Sequence, residues 1–368
     1  MAREGQRPVL GVYHVATFPG WRAVAGAQCR RLGESGLLAR TARLLVGVVG
    51  DPAEDLSPLA DALGGRAEVR HLGPLSAYEI PTLGWLHDEA RSGEAACWYL
   101  HTKGVSSMSE GAADHRLGME AVVLDNHEAC LGALDEYDAC GAEWRVDGFG
   151  ARNPHFPGNF WWANARYLRG LPPPSTLDLG DRYQAEFWVG KGPAIRAIAL
   201  APRSDPFARP TAWSGLESRY GGLLGDIGPV RRVVDLGVDY GFTTFHFARD
   251  YPGAEVVGVD DFSLHEDAEG WVRGHLPPFP NVRLVKGRTA GAGRAFTGPV
   301  DLLHIDADHS FAAVAEDFGS WLHAVRPGGR VLFHDTVTFP AVGRFFRGLE
   351  GAKGEILEHN GLGCWVRP

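Results

Sequence analysis

From Val233 onward, short apolar runs without polar alternation are separated by stretches with helical periodicity. Such runs are typical of strands buried on both faces, which occur in mainly parallel sheets with helices on each side. The helix after Ser310 has the clearest period, because apolar residues recur every three to four positions from Phe311 to Val325. The pattern predicts an α/β fold with strands at 233–237, 255–260, 282–287, 300–306 and 330–335, and a closing strand pair at 355–358 and 364–366.

The chain is long enough for two domains, since a typical domain has roughly 150 residues and this chain has 368. The first half also has an α/β pattern. Three prolines, Pro202, Pro206 and Pro210, fall within 201–215, a composition typical of a linker. We therefore expect one domain over 1–200, a linker over 201–215 and a second domain over 216–368.

The charge balance disfavours several classes of partner. Lysine and arginine number 36 against 45 aspartates and glutamates, a net charge of −9. Nucleic acids and anionic membranes are therefore not expected as partners. The sequence has no apolar run of about 18 residues, the length of a membrane span, and its polar start does not resemble a secretion signal. The five cysteines are widely spaced without a Cys-x-x-Cys pair, which indicates reduced core residues and a cytoplasmic protein.

A glycine turn follows the first strand of the second domain. The string Val233-Val-Asp235-Leu-Gly237-Val-Asp-Tyr-Gly241 predicts a strand, a turn and a helix start, and Asp260 ends the next strand. Glycine allows a ligand to approach the backbone, and a carboxylate at Asp260 can accept hydrogen bonds from both hydroxyls of a ribose. The glycines could instead form only a packing turn. NAD is a rival cofactor, but Gly-x-x-x-Gly differs from the Gly-x-Gly-x-x-Gly of dinucleotide sites.

This pattern resembles class I S-adenosylmethionine-dependent methyltransferases over about 216–368. The resemblance implies a Rossmann-like sheet of seven strands with a reversed last hairpin. It also implies that Asp235, Gly237 and Gly241 line the cofactor and that Asp260 holds its ribose.

Two further aspartates end predicted neighbouring strands. Asp306 lies in the block His-Ile-Asp-Ala-Asp-His-Ser at 304–310, and Asp335 follows the glycine pair at 328–329. Open α/β sheets bind ligands at the carboxyl ends of their strands, so the two carboxylates should meet there. Such a pair suits Mg²⁺ or another divalent cation. Either aspartate could instead cap a helix or a turn, and Asp308 is better explained in that way.

The two blocks resemble the divalent-metal-dependent sugar O-methyltransferases of macrolide biosynthesis and their relatives in polysaccharide clusters. The resemblance implies that Asp306 and Asp335 bind the metal and that His309 is the base. His334 stands where that pattern often has glutamate, so it is the candidate third ligand. A sulfonium methyl group is already activated, and the enzyme has to align the acceptor oxygen and remove its proton. A cation can lower the pKa of the hydroxyl, and a histidine can take the proton.

The first half contains three unusual strings, Tyr-Leu-His-Thr-Lys-Gly at 99–104, His-Phe-Pro-Gly-Asn-Phe-Trp-Trp-Ala-Asn at 155–164 and Arg-Tyr-Gln-Ala-Glu-Phe-Trp at 182–188. They resemble an uncharacterised glycosyltransferase-like family of bacterial glycan clusters, over about 9–190. The resemblance implies a GT-A-like α/β domain. The Asp-x-Asp pair that metal-dependent GT-A enzymes use for nucleotide-sugars does not occur before residue 200.

Several residues of these strings could contact a sugar. Trp161 and Trp162 could form a stacking platform, although tryptophans are as often core residues. Lys103 could meet a diphosphate. The candidates for hydrogen bonds to sugar hydroxyls are His101, His155, Asn159, Asn164 and Glu186.

Three functions stay open. The first is an O-methyltransferase acting on a sugar hydroxyl, with the N-terminal domain recognising the glycan. The second is a bifunctional enzyme that transfers sugar from a nucleotide-sugar and methylates it, and the third is a glycan-binding module with a degenerate methyltransferase half. The intact turn and carboxylates argue against the third. We expect S-adenosylmethionine and a divalent cation, Mg²⁺, as cofactors, and a small molecule or glycan as substrate.

Overall fold

The computed structural model describes residues 7–102, 110–148, 151–178, 180–181, 183–209 and 211–368. The chain folds into two units that divide between Arg203 and Ser204. Each unit is built on a mixed sheet with helices, which confirms the α/β class predicted from the sequence. Within the described ranges, no helix combines the length and the apolar character needed to cross a membrane.

The first unit has seven strands among its described residues, in the order β3-β2-β1-β4-β6-β5-β7. The first four in that order are parallel, whereas β6 is antiparallel to both of its neighbours. Its strands are β1 Val9–Ala16, β2 Arg43–Val49, β3 Ala67–Gly73, β4 Ala96–His101, β5 Ala139–Gly141, β6 Trp161–Asn164 and β7 Ala197–Ala199. Its helices are α1 Trp21–Glu34, α2 Leu37–Arg40, α3 Ser57–Ala62, α4 Ile80–Ala90, α5 Glu110–Glu120, α6 His127–Ala133, α7 Ala165–Leu168 and α8 Gln184–Phe187.

The second unit also has seven strands in the part that is described, in the order β10-β9-β8-β11-β12-β14-β13. The first five are parallel, and β14 is antiparallel to β12 and β13. Its strands are β8 Arg232–Leu236, β9 Glu255–Asp260, β10 Val282–Lys286, β11 Val300–Ile305, β12 Val325–His334, β13 Lys353–Ile356 and β14 Leu362–Val366. Its helices are α9 Tyr220–Leu224, α10 Phe242–Asp250, α11 Ala268–His275, α12 Thr289–Ala295, α13 Phe311–Trp321 and α14 Pro340–Gly348.

Helix α13 begins where the sequence predicts, because the Ser310 hydroxyl accepts a hydrogen bond from the Ala313 backbone N–H at 3.2 Å. The helix ends at Trp321 instead of Val325. Val325 pairs with Val300 as the first residue of β12, so sheet pairing overrides the apolar helical period at this position.

The proline-rich segment that the sequence predicts as a linker packs onto the second unit. Phe207 lies against its apolar core, and Trp213 is buried within that core. The second unit therefore begins before the predicted boundary at residue 216.

Candidate active site

A cleft of about 680 Å³ opens along the carboxyl ends of the parallel strands in the second unit. Its volume is within the range of small-molecule and cofactor sites. Gly237 and Asp260 lie on its wall, and so do Asp306 and His309. The cleft therefore joins two of the predicted cofactor residues to two residues of the predicted reaction centre.

Asp260 ends β9 and carries a half-buried carboxylate on the cleft wall. Its two oxygens accept backbone hydrogen bonds from Asp239 at 2.9 Å and Phe262 at 2.7 Å. Burial raises the pKa of Asp260, and these backbone hydrogen bonds oppose that rise. The carboxylate is thus held in place and keeps lone pairs that could accept hydrogen bonds from ribose hydroxyls.

Gly237 forms the turn between β8 and α10, in the left-handed region with φ of +89°. A β-carbon at this position would lie 2.0 Å from the Asp306 carbonyl oxygen, so no other residue fits. Gly241 precedes α10 with φ of +81°. It does not lie on the cleft wall, and its lack of a side chain leaves room for the Phe245 ring instead.

Asp235 is not a cleft residue, which corrects the expectation that it lines the cofactor. Its side chain is fully buried, and one oxygen accepts hydrogen bonds from the hydroxyls of Thr243 at 2.8 Å and Thr244 at 2.5 Å. The other oxygen lies 2.7 Å from His304 Nδ1. Asp235 precedes the end of its strand and faces the interior, whereas Asp260 is the last residue of its strand.

Four titratable side chains meet where β11 and β12 end. Asp306 Oδ1 lies 3.2 Å from His334 Nδ1 and 3.4 Å from His309 Nε2. Asp335 Oδ2 lies 3.0 Å from His309 Nε2 and 3.5 Å from His334 Nδ1. The structure therefore brings together the predicted base and the three predicted metal ligands.

Three of these residues, Asp306, His334 and Asp335, offer ligand atoms that lie within 4.8 Å of one another. Among the described residues, Asp335 Oδ1 and His334 Nε2 are buried without a hydrogen-bond partner. Unpaired buried polar atoms are uncommon, and Asp335 Oδ1 is the one of these two that lies on a side chain of the cluster with its other oxygen facing both histidines, so it is free to accept a ligand or ion. Two carboxylates and an imidazole form a donor set that fits a divalent cation.

The opposite charges of the two aspartates and the two histidines lower the pKa of each carboxyl group and raise the pKa of each imidazole. Burial favours neutral Asp306, but His334 and His309 outweigh it and hold the pKa of Asp306 well below its ordinary value. Hydrogen bonds to Asp306 and Asp335 raise the pKa of His309 to about 9. Burial lowers the pKa of His334, but the same two carboxylates outweigh it and raise that pKa to about 10. A divalent cation would compete with these protons for the same carboxylate oxygens.

Phe339 packs against one face of the His309 imidazole. The two rings stack with centroids 4.1 Å apart and an angle of 12° between their planes. The Phe339 side chain is partly exposed, so the stacked pair lies at the surface of the site.

In the first unit, the predicted sugar platform is wrong. Trp161 and Trp162 are both fully buried in β6. Their indole N–H groups donate to Asn159 Oδ1 at 2.7 Å and to the Val123 carbonyl oxygen at 2.9 Å. Both rings are core residues, because neither has a face open to a ligand.

The other predicted sugar contacts bind the protein itself. His101 Nε2 donates to the Gly158 carbonyl oxygen at 2.8 Å, and Glu186 accepts from the Gly158 N–H at 2.7 Å. The neighbouring Asn159 donates to Glu79 at 2.7 Å. These bonds gather His101, Asn159 and Glu186 around one turn.

Two more of these residues lie apart from that turn. His155 Nδ1 lies 2.7 Å from the Asn153 carbonyl oxygen, and Asn164 donates to the carbonyl oxygens of Leu134 and Tyr137. Lys103 lies outside the described residues.

Three residues that contact the site were not predicted as parts of it: His304, Phe339 and Trp213, whose indole lies against His304 and His334. A signal for His304 was present, since a histidine inside an otherwise apolar strand needs a buried partner. Nothing comparable identifies Phe339 or Trp213, because their roles depend on tertiary contacts.

Two family models match the chain. One, described as "Methyltransferase domain", matches residues 234–336. The other, described as "Domain of unknown function (DUF8361)", matches residues 37–180.

One curated relative and two solved structures illustrate the similarity. The uncharacterized protein y4gI of Sinorhizobium fredii (strain NBRC 101917 / NGR234) is 31% identical over 148 residues, 37% of this chain and 14% of that protein. The O-methyltransferase from Bacillus cereus in complex with SAH has 18% identity and a TM-score of 0.35, over 45% of this chain and 84% of that one. The O-methyltransferase TomG from Streptomyces achromogenes in complex with SAM has 19% identity and a TM-score of 0.32, over 44% and 82%.

The match at 234–336 covers the glycine turn, Asp260 and the cluster at the ends of β11 and β12. The second unit therefore contains a region that matches a methyltransferase domain.

Proposed function

We propose that the chain is an O-methyltransferase that transfers the methyl group of S-adenosylmethionine to a hydroxyl oxygen and requires a divalent cation. The observation that carries this proposal is that Asp306 and His309 belong both to the cleft wall and to the titratable cluster. A cofactor in the cleft and a cation in the cluster would therefore meet at one sheet edge.

The residues of the cleft have separate roles in this proposal. Asp260 accepts hydrogen bonds from the ribose of the cofactor, and the Gly237 turn lets the backbone approach it. Asp306, His334 and Asp335 hold the cation. When bound, a divalent cation lowers the pKa of an acceptor hydroxyl and orients a vicinal diol. The His334 nitrogen in this donor set favours a transition ion such as Mn²⁺ over Mg²⁺.

His309 is the proposed general base. Its Nε2 atom is directed at the two carboxylates, which hold a proton on it, and Phe339 fixes the ring plane. A cation bound to those carboxylates would release this proton and leave the imidazole neutral, as a base must be. In the reaction, the acceptor oxygen forms a bond to the methyl carbon as the bond from that carbon to sulfur breaks. The hydroxyl proton passes to His309, and S-adenosylhomocysteine leaves.

For the acceptor, we propose a sugar hydroxyl of a glycan or glycosylated product. The support is the resemblance of the 304–310 and 328–336 blocks to sugar O-methyltransferases. We propose that the first unit recognises the glycan through His101 and Glu186, which are partly exposed at the Gly158 turn, whereas Asn159 is buried there and bonded to Glu79 and Trp161. The five cysteines are free and buried, which supports a cytoplasmic location.

A second candidate is a GT-A-like first unit that transfers a sugar from a nucleotide-sugar. It is favoured by the position of His101 at the carboxyl end of the parallel strand β4. Open α/β sheets bind their ligands at this edge.

The test incubates the full chain with S-adenosylmethionine, Mn²⁺ and a panel of sugars, nucleotide-sugars, catechol and a small primary amine, and measures S-adenosylhomocysteine. We expect product only with hydroxyl acceptors. His309→Ala should lower kcat by about 10² to 10⁴-fold, the usual contribution of a general base. His323→Ala is the matched control, since His323 is exposed and lies outside the cleft. Methylation of nitrogen acceptors alone would contradict the proposal, and release of nucleoside diphosphate would support the second candidate.

A further inference from the structure

We propose that Trp213 is a positioning residue of the methyl-transfer site, because its indole fixes two histidines on the neighbouring strands β11 and β12. The proposal rests on the proposed function, in which His334 is a metal ligand. It concerns a residue outside the matched methyltransferase region, in the segment that the sequence predicts as a linker.

The first contact of Trp213 is a hydrogen bond with His304. The indole Nε1 lies 3.2 Å from His304 Nε2, and both side chains are buried. An indole N–H can only donate, so His304 Nε2 must accept. The proton of the imidazole is therefore on Nδ1, which faces the Asp235 carboxylate at 2.7 Å. Trp213 and Asp235 thus hold His304 in one tautomer from the two sides of its ring.

The second contact of Trp213 is with His334. The rings of Trp213 and His334 have centroids 6.1 Å apart and are tilted by 34°, and those of Trp213 and His304 have centroids 5.4 Å apart. One indole therefore packs against both imidazoles. His334 offers Nδ1 to the cation site, so the packing of its ring sets the direction of that nitrogen.

The hydrogen bonds continue from His304 to the start of the cofactor turn. His304 and Asp235 are direct neighbours in the register of β11 and β8. Asp235 in turn accepts from Thr243 and Thr244 at the start of α10. A buried series of hydrogen bonds therefore begins at Trp213, passes through His304 on β11 and Asp235 on β8, and ends at the start of α10.

Residues that orient metal ligands from outside typically contribute 10- to 100-fold to metal affinity or activity. Trp213→Phe removes the indole N–H together with the ring that carries it, so it breaks the hydrogen bond to His304 and reduces the packing on His334. Trp365→Phe is the matched control. Trp365 is also buried in this unit and its N–H donates to the Glu350 carbonyl oxygen at 2.7 Å.

Two measurements on the full chain test the proposal. The first is the ¹⁵N spectrum of the histidine side chains without metal, in which His304→Gln assigns the His304 signal. Wild type should show the Nδ1–H tautomer with a hydrogen-bonded Nε2. The Nε2 resonance should move in Trp213→Phe, which removes the donor to this nitrogen, and stay in place in Trp365→Phe. The second is Mn²⁺ binding by electron paramagnetic resonance, which Trp213→Phe should weaken by roughly tenfold.

An unchanged His304 signal together with wild-type Mn²⁺ affinity in Trp213→Phe would overturn the proposal. Equal losses of Mn²⁺ affinity in both tryptophan variants would overturn it as well, since a general loss of stability would then account for the effect. If wild type binds no Mn²⁺, the metal part of the proposed function fails. The His304 signal alone then tests whether Trp213 positions His304.

Discussion

Gly237 packs against Asp306 so closely that a β-carbon at position 237 would lie 2.0 Å from the Asp306 carbonyl oxygen. The turn that faces the cofactor and the loop that carries a proposed metal ligand are thus in direct contact. A substitution at Gly237 should therefore affect both the turn and the loop.

Gly237→Ala is therefore expected to weaken both S-adenosylmethionine and Mn²⁺ binding. Alanine at a left-handed φ costs about 1–2 kcal/mol of stability, and the clash forces the turn to move away from Asp306. A displaced turn should lower each affinity by roughly tenfold. Titration calorimetry measures both. Gly253→Ala is the control, because a β-carbon there meets nothing within 4 Å. Loss of cofactor binding with normal Mn²⁺ binding would show that the two loops are independent.

Asp260→Asn should weaken S-adenosylmethionine binding by about 1.5–3 kcal/mol, the value of hydrogen bonds to a charged group. Asparagine has nearly the same shape but loses the charge. Calorimetry of the folded variant gives the change in affinity, with Asp226→Asn, an exposed turn aspartate, as the control. Unchanged affinity would rule out the ribose role of Asp260.

Asp235→Asn should act on stability more than on cofactor binding. The carboxylate is buried and accepts from two hydroxyls while facing His304, so the substitution disturbs several buried hydrogen bonds at once. Each buried group left without its hydrogen-bond partner costs about 1–3 kcal/mol. Thermal unfolding should show a lower midpoint, with cofactor affinity in the folded protein changed by less than in Asp260→Asn. A larger loss of cofactor affinity in Asp235→Asn than in Asp260→Asn would instead show that Asp235 contacts the cofactor.

Trp161→Ala should destabilise the first unit by about 3–5 kcal/mol, because it leaves a cavity in the core. Trp161→Phe should cost less, since it keeps most of the ring volume. Chemical denaturation followed by tryptophan fluorescence measures both. A stable Trp161→Ala protein that has lost glycan binding would restore the platform role.

The reaction centre could be predicted because its residues follow strand ends, where the direction of the backbone brings them to one edge. This holds for Asp306 and Asp335, and Asp260 lies at the same edge. Asp235 shows the limit of the rule, since it lies inside its strand and its side chain faces the interior. A shift of one position along the strand decides whether an aspartate faces the cleft or the interior, and the sequence does not define the ends of strands that precisely.

The tryptophans show a second limit. Trp161, Trp162 and Trp213 are all buried, and each indole N–H has a partner from a distant or neighbouring segment. Composition marks such residues as candidates for a platform or for a core, and only the tertiary contacts decide between the two. For the same reason, the prolines of 201–215 predict a break in regular structure but not that Trp213 enters the core.

Cation dependence of methyl transfer is the central claim, and turnover of the full chain in EDTA tests it most directly. With an acceptor from the hydroxyl panel, EDTA should abolish formation of S-adenosylhomocysteine, leave binding of S-adenosylmethionine largely intact, and be reversed by added Mn²⁺ or Mg²⁺. Full turnover in EDTA would contradict the account and leave His309 and alignment in the cleft as the mechanism.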